Sequence, residues 1–159
     1  MSTQLVAPSN RFVRISGLLA IIAGAVFIIA GGVTWSAVSS HLAAENITVS
    51  EDAAAFGGQT VDTPWEAFAQ ADIINHHALD ATGGKTYAEL DKEDPLRAVA
   101  MNGSFLRASL FTSVVAFGVA ALVVGIGAVF ALVGFALRRL APVAPVLPAT
   151  ADENRLASV

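Results

Sequence analysis

The chain has no cysteine among its 159 residues, a single tyrosine, and few charged side chains, which make up 14% of the sequence. The absence of cysteine excludes disulfides, a redox-active thiol and a lipid-modified amino-terminal cysteine. The scarcity of charge excludes an ordinary water-soluble domain, because 55% of the residues are hydrophobic and the mean hydropathy is +0.64. A soluble domain of this size would have too few polar residues to cover that much apolar surface.

Two long runs contain no charged residue, one from Ile15 to Val38 and one from Ala108 to Leu137. Each exceeds the roughly 20 residues that an α-helix needs to cross the hydrocarbon core of a bilayer. We therefore predict an all-α membrane protein with two transmembrane helices that form a hairpin. The alternative for the first run is a signal peptide cleaved at Ala37-Val38-Ser39, although the run is longer than the ~7–15 apolar residues typical of such peptides.

The charges that flank the two runs predict the orientation. Arg11 and Arg14 precede the first run, and Arg138-Arg139 follow the second. Lys and Arg are retained on the cytoplasmic side during insertion, so both termini should be cytoplasmic, at the plasma membrane. The predicted order is a cytoplasmic segment 1–14, a transmembrane helix 15–38, an acidic extracytoplasmic insert 39–107, a transmembrane helix 108–137, and a disordered Pro/Ala-rich cytoplasmic tail 138–159.

Capping signals predict three or four short helices in the insert. TPWE at 63–66 has the pattern of a capping box with Pro at the first helical position, and Gly83 is placed to end that helix in the left-handed conformation. TYAE at 86–89 and DPLR at 94–97 are two further starts, and TVSE at 48–51 is a shorter candidate. The helix that starts at DPLR is a candidate to continue into the second membrane helix.

Gly84-Lys85-Thr86 matches the end of a phosphate-binding P-loop. A P-loop also needs glycine five residues before the GK pair, after a strand. That position is Leu79, which lies in the predicted helix. The stretch therefore predicts a stop between helices, and we expect neither a nucleotide nor a nucleic acid as a partner.

The histidines of the insert allow two interpretations. Asp72 and Asp80 lie four residues before and after His76, so the three side chains share one helix face. His76 can form an ion pair with Asp72, which is the interpretation we favour, and no cofactor is then implied. The alternative is a metal site on Asp72, His76 and Asp80 with His41 as a further ligand. The neighbouring His77 is predicted to face away.

The membrane helices are rich in small residues and contain no ionisable side chain within the spans. The second feature argues against a pump or carrier, whose pathways normally include such groups. The first predicts close helix packing, because small residues let two backbones approach. The predicted packing residues are Gly24, Gly31, Gly118, Gly125, Gly127 and Ala131. One face should hold the hairpin together. A second, centred on Gly125 or Gly127 and Ala131, should pack on another membrane helix or on a second copy.

Three blocks of the sequence resemble small actinobacterial two-helix membrane proteins that often carry the label aromatic ring-opening dioxygenase. These blocks are ITVSEDA, AQADIINHHALDATGGKTYAELDKEDPLR and NGSFLRASLFTSVVAFGVAALVVGIG, and the resemblance extends over about Arg14 to Leu140. Extradiol dioxygenases hold non-haem iron through two histidines and a carboxylate in a soluble fold. If the label implied this activity, the iron ligands would be His76, Asp72 and His41. The chain has only three histidines and no room for that fold, so we expect no dioxygenase activity.

Two classes of function follow from these features. We favour a non-enzymatic accessory or assembly subunit, embedded in the bilayer, whose partners are other membrane helices or further copies of itself. The alternative is an exterior metal-binding protein or metal-dependent enzyme that uses the face carrying Asp72, His76 and Asp80.

Overall fold

A computed structural model describes residues 10–141 and contains three helices over that range. They are α1 (Asn10–Ala44), α2 (Pro64–Ala81) and α3 (Arg97–Leu140). The predicted all-helical architecture is confirmed. Residues 1–9 of the predicted cytoplasmic segment and residues 142–159 of the predicted tail lie outside the described residues.

Helices α1 and α3 are long and apolar enough to cross a membrane, with 35 and 44 residues. The two charge-free runs lie inside them. Their apolar side chains point mostly outward: Leu19, Ile29 and Leu132 are 60%, 66% and 69% exposed. The buried core helix of a soluble protein would hide such residues. The prediction of two helices able to span a bilayer is thus confirmed at the level of length and composition.

The two long helices pack antiparallel along matching rows of small residues that repeat every seven positions. These residues are Gly17, Gly24 and Gly31 on α1 and Ala120, Gly127 and Gly134 on α3. A Cβ atom built on Gly24 would lie 2.5 Å from the carbonyl oxygen of Gly127. Only glycine allows such an approach. A repeat of seven residues is close to two helical turns, so each row stays on the face that meets the other helix.

Aromatic pairs flank the glycine contacts. The rings of Phe27 and Phe130 meet edge to face with centroids 6.0 Å apart. Further along, Trp35 and the fully buried Phe117 lie 4.7 Å apart. Because these rings pack beside the close backbone contact, they fill the space that the small residues leave.

The segment between α1 and α3 packs onto the first part of α3 through α2, which runs antiparallel to it. Phe68 meets Phe111 with ring centroids 5.8 Å apart, and a Cβ on Gly103 would lie 2.8 Å from the Cβ of Ala78. The core beneath the insert consists of Leu42, Val49, Val61, Ala67, Ala71, Leu110 and Phe117. This core ties the insert to both long helices.

Both predicted ends of α2 are confirmed. At the start, Thr63 is the N-cap, its N–H donates to the Glu66 carboxylate at 3.1 Å, and Pro64 follows. At the end, Gly83 has a φ of 63°, and the Gly84 N–H donates to the Leu79 carbonyl at 2.7 Å. This is the bond of a Schellman motif, which requires a left-handed residue after the helix.

The prediction of three or four short helices in the insert is wrong, because α2 is the one helix between residues 45 and 96. TVSE at 48–51 is extended, and Thr48 forms an antiparallel bridge with Thr60. The Val49 N–H donates to the Gln59 carbonyl and the Val61 N–H to the Ile47 carbonyl, both at 2.9 Å. Consecutive β-branched residues explain the difference, because they favour an extended chain, which here buries Val49 and Val61.

Of the other two predicted starts, TYAE forms a turn, whereas DPLR leads directly into α3, as predicted. The Thr86 N–H donates to the Glu89 carboxylate at 2.8 Å, but the chain makes only one turn there. Arg97 Nη1 donates to the Leu90 carbonyl at 2.7 Å and holds it outside any helix. At DPLR the Asp94 carboxylate accepts the Leu96 N–H at 2.8 Å, and α3 begins at Arg97. From there α3 continues without a break.

Candidate functional site

A shallow apolar hollow of about 450 Å³ lies where the first half of α2 meets the preceding loop. Its lining includes Phe56, Trp65, Phe68 and Ile73, and we call it the aromatic hollow. Trp65 is 67% exposed and Phe68 is 54% exposed. Contiguous exposed apolar surface of this kind marks interaction sites in proteins.

The local fold explains why these rings gather. Trp65 is the second residue of α2 and Phe68 lies three residues later, so both point to the same side. Phe56 comes from the loop and has a φ of 63°. A bulky residue in the left-handed region is strained by about 1–2 kcal/mol. The loop tolerates this strain at a residue that lines the hollow.

A histidine–carboxylate pair joins the same loop to α2. His77 Nε2 lies 2.7 Å from Asp52 Oδ2, and both side chains are largely exposed. The hydrogen bond to His77 holds the pKa of the Asp52 carboxyl below its usual range. His77 is therefore the histidine that contacts the loop, and its 49% exposure agrees with the prediction of a side chain turned away from the His76 face towards solvent or an interface. His76 is exposed and forms no hydrogen bond or ion pair with the described Asp72, so the favoured prediction of an Asp72–His76 pair is wrong.

The structure does not bring the four candidate metal ligands together. Among residues 10–141, no group of three or more His, Asp or Glu side chains is arranged to hold a metal ion. Asp72 and Asp80 are eight residues apart on α2, which separates them by roughly 12 Å along the helix. Zinc–ligand bonds are only about 2.0–2.2 Å long, so these carboxylates cannot share an ion with His76. His41 is not near these residues of α2: it lies in the last turn of α1 and lines a second hollow.

That second hollow, of about 550 Å³, lies between the end of α1, the middle of α2 and the first half of α3. Its apolar lining includes Leu42, Ile74 and Leu110, and His41 and Gln70 are among its polar lining residues. The Gln70 Oε1 accepts the Ser50 N–H at 2.9 Å, so this buried side chain also anchors the loop. The hollow is amphipathic, unlike the aromatic hollow.

The predicted packing glycines fall into two groups. Gly24, Gly31, Gly127 and Ala131 lie at the contact between α1 and α3; a Cβ on Gly24 would come within 2.7 Å of the Ala131 nitrogen. Gly118 and Gly125, by contrast, have no atom of another described element within 4 Å of where a Cβ would lie.

The expectation that Gly127 and Ala131 centre a free face is thus wrong. The seven-residue row of α1 meets Ala120, Gly127 and Gly134, and the glycines of α3 that face open space are Gly118 and Gly125.

The stretch around Gly84-Lys85-Thr86 is a helix stop, as predicted. Thr82 is buried, and its hydroxyl lies 2.9 Å from the Ala78 carbonyl oxygen and 2.5 Å from that of Lys85. The element before the stretch is α2, whereas a P-loop follows a strand.

Two features of the site were missed by reasoning from the sequence. The contact between Asp52 and His77 joins residues 25 positions apart, and no local sequence pattern predicts it. The extended pairing of residues 47–49 with 59–61 did leave a signal in the sequence, namely consecutive β-branched residues. Comparison with protein families, with curated proteins and with solved structures finds no match to this chain.

Proposed function

We propose that the chain is a non-enzymatic integral membrane protein that serves as an accessory or assembly subunit, either of a larger membrane complex or of a homo-oligomer. The aromatic hollow is the observation that supports this proposal. Phe56, Trp65 and Phe68 are 38%, 67% and 54% exposed on a part of the chain that carries 11 acidic residues. Aromatic anchors and the pockets beside them dominate the energetics of protein interfaces.

The membrane part supports the same proposal. The contact between α1 and α3 occupies one face of each helix and leaves Gly118 and Gly125 open. Small residues at an open helix face favour a further helix, because close backbone approach drives association where lipid gives no hydrophobic drive. A partner that engages both α3 and the aromatic hollow would be a membrane protein with its own exterior part.

The orientation in this proposal follows from the arginines. Arg11 and Arg14 lie at the start of α1, and Arg138 and Arg139 lie at the end of α3. With both ends on the cytoplasmic side, residues 39–107 and the aromatic hollow face outward from the plasma membrane.

A non-enzymatic role is supported by the state of the titratable groups in the insert. His77 is engaged by Asp52, and the carboxylate of Glu66 caps its own helix. General acid–base chemistry needs a group within reach of a substrate, with a pKa near the working pH. The aromatic hollow has Asp72 as its single charged lining residue.

Photocrosslinking in native membranes tests the proposal. A benzophenone amino acid in place of Trp65 should give a discrete crosslinked product with a protein, and Phe68→Ser should reduce its yield. Removing an interface anchor costs about 2 kcal/mol, which is roughly a thirtyfold loss in affinity. The same amino acid in place of Met101, which is exposed but outside the hollow, is the control. Crosslinks to lipid alone at position 65 would contradict the proposal.

A further inference from the structure

A small cavity of about 60 Å³ lies between the last turns of α2, the turn that follows it, and the outer part of α3. Six polar side chains line it: Asn75, Lys85, Thr86, Tyr87, Ser104 and Arg107. None of the lining residues is acidic. A cavity needs at least about 10–15 Å³ to hold one water. A volume of about 60 Å³ therefore suits a group of a few heavy atoms and excludes a nucleotide.

The charge around the cavity is opposite to that of the rest of the insert. Residues 39–107 carry 11 acids and only four bases, yet Lys85 and Arg107 both line this one cavity. The salt bridge within residues 10–141 joins His77 to Asp52, so neither cation is paired there. Glu89 interacts electrostatically with Lys85, but its carboxylate accepts the Thr86 N–H and hydroxyl at 2.8 and 2.7 Å. Those hydrogen bonds, more than Lys85, keep the pKa of Glu89 below its usual range.

Arg107 supplies a second, independent observation. Its Nε atom is buried and has no hydrogen-bond acceptor within the described residues. Leaving a buried charged donor unsatisfied costs more than the roughly 1–3 kcal/mol of a neutral group. The ring of Phe111 lies 5.9 Å from the guanidinium and provides only a weak cation–π contact. An anion in the adjoining cavity would satisfy this nitrogen.

From this arrangement we propose that the cavity binds a tetrahedral oxyanion, a phosphate group, between Lys85 and Arg107. Arg presents several N–H donors in a plane that match phosphate oxygens, and Lys adds a point charge. The Tyr87 hydroxyl and the Asn75 amide supply further donors among the lining residues, whereas the Ser104 hydroxyl already donates to the Ala100 carbonyl at 2.9 Å.

The position of Arg107 indicates where the phosphate comes from, and this step rests on the membrane placement of the proposed function. The helical rise separates Arg107 from Arg138 by roughly 46 Å along α3. A bilayer with its headgroups is about 40–45 Å thick. With Arg138 at the inner headgroups, Arg107 reaches the outer ones, where lipid phosphates lie. Free phosphate is the other source of the same chemistry.

The test uses the full chain purified in a phosphate-free maltoside detergent. Native mass spectrometry should show phosphatidylglycerol retained at least tenfold more by the parent than by Lys85→Gln or Arg107→Gln. Diacylglycerol, with the same acyl chains and no phosphate, should not be retained. Lys92→Gln removes the same charge from an exposed site outside the cavity and should behave like the parent. Because Lys85 is exposed, Lys85→Gln keeps the test valid if Arg107→Gln fails to fold.

A second arm measures binding of inorganic phosphate by equilibrium dialysis. Saturable binding with the same dependence on Lys85, together with no retention of phosphatidylglycerol, supports the site with free phosphate as its ligand. If binding of both compounds is unaffected by Lys85→Gln, or is lost equally in Lys92→Gln, the proposed site is overturned. Both arms use the isolated chain, so their outcome is separate from that of the crosslinking at Trp65.

Discussion

At the scale of single residues, the ends of α2 show how far local chemistry specifies the fold. The first N–H groups and the last C=O groups of a helix have no partner within the helix, and nearby residues must provide one. The cap at Thr63 and the stop at Gly83 meet this requirement locally in the sequence. Both were therefore predictable from the pattern of residues. The pair between His77 and Asp52 depends instead on the path of the loop, and its 2.7 Å contact could be found only from the structure.

Gly83→Val should destabilise the insert by about 1–2 kcal/mol, because its φ of 63° lies in the region where a Cβ is strained. Thermal unfolding in detergent, followed by circular dichroism, measures the change. Ala81→Val places the same side chain in the last turn of α2, where φ is helical, and should cost much less. Equal melting of the two variants would contradict the assigned role of Gly83.

The pair between Asp52 and His77 should make the insert sensitive to acid. Folding lowers the pKa of Asp52, so its contribution to stability is present above its ordinary pKa, near 3.9, and is lost as pH falls through the lower folded value. Melting temperature should therefore fall more steeply below about pH 4 in the parent than in Asp52→Asn. Asp91→Asn, at an exposed position outside this contact, is the control. Parallel profiles for parent and Asp52→Asn would show that the pair contributes nothing.

At the scale of elements, composition and spacing predicted the long helices but not which of their faces meet. Both spans were visible as charge-free runs, and several rows of small residues could have formed the contact. In the structure, the contact face of α1 is the row that repeats every seven residues, and this row faces Ala120, Gly127 and Gly134 of α3. Gly118 and Gly125 were indistinguishable from these in the sequence.

Gly31→Ala should weaken the contact between α1 and α3 by about 1–3 kcal/mol through overpacking. The added Cβ would lie 2.6 Å from Val124 Cγ2 and 2.7 Å from the Ala120 carbonyl oxygen. The adjacent Gly32 has no described neighbour within 4 Å, so Gly32→Ala makes the same chemical change without the clash. Resistance to unfolding in a denaturing detergent compares the two. If Gly32→Ala proves the more damaging, the assigned helix faces are wrong.

At the scale of the whole molecule, the matched rows of small residues also bear on whether α1 is removed as a signal peptide. A cleaved signal peptide would remove Gly17, Gly24 and Gly31 and leave the opposing glycines of α3 without a partner. Antiparallel rows with the same spacing on both helices favour a first helix that stays in the mature protein. We therefore expect α1 to be retained, with the contact to α3 as a second reason beside the length of its apolar run. The insert was harder to predict, because extended pairing and turns between distant residues replace the expected helices.

The absence of cysteine makes the orientation directly testable, since any cysteine introduced is the only one in the chain. Ala81→Cys lies at the exposed end of α2 and, with the insert outside, should react with a membrane-impermeant maleimide in intact cells. Ala149→Cys lies beyond Arg138 and Arg139 and should react only after the membrane is permeabilised. The two sites control for each other, because each should report the opposite side. The reverse pattern would place the arginines outside and contradict the orientation, whereas labelling of both sites in intact cells would show that the two helices do not form a hairpin across the bilayer.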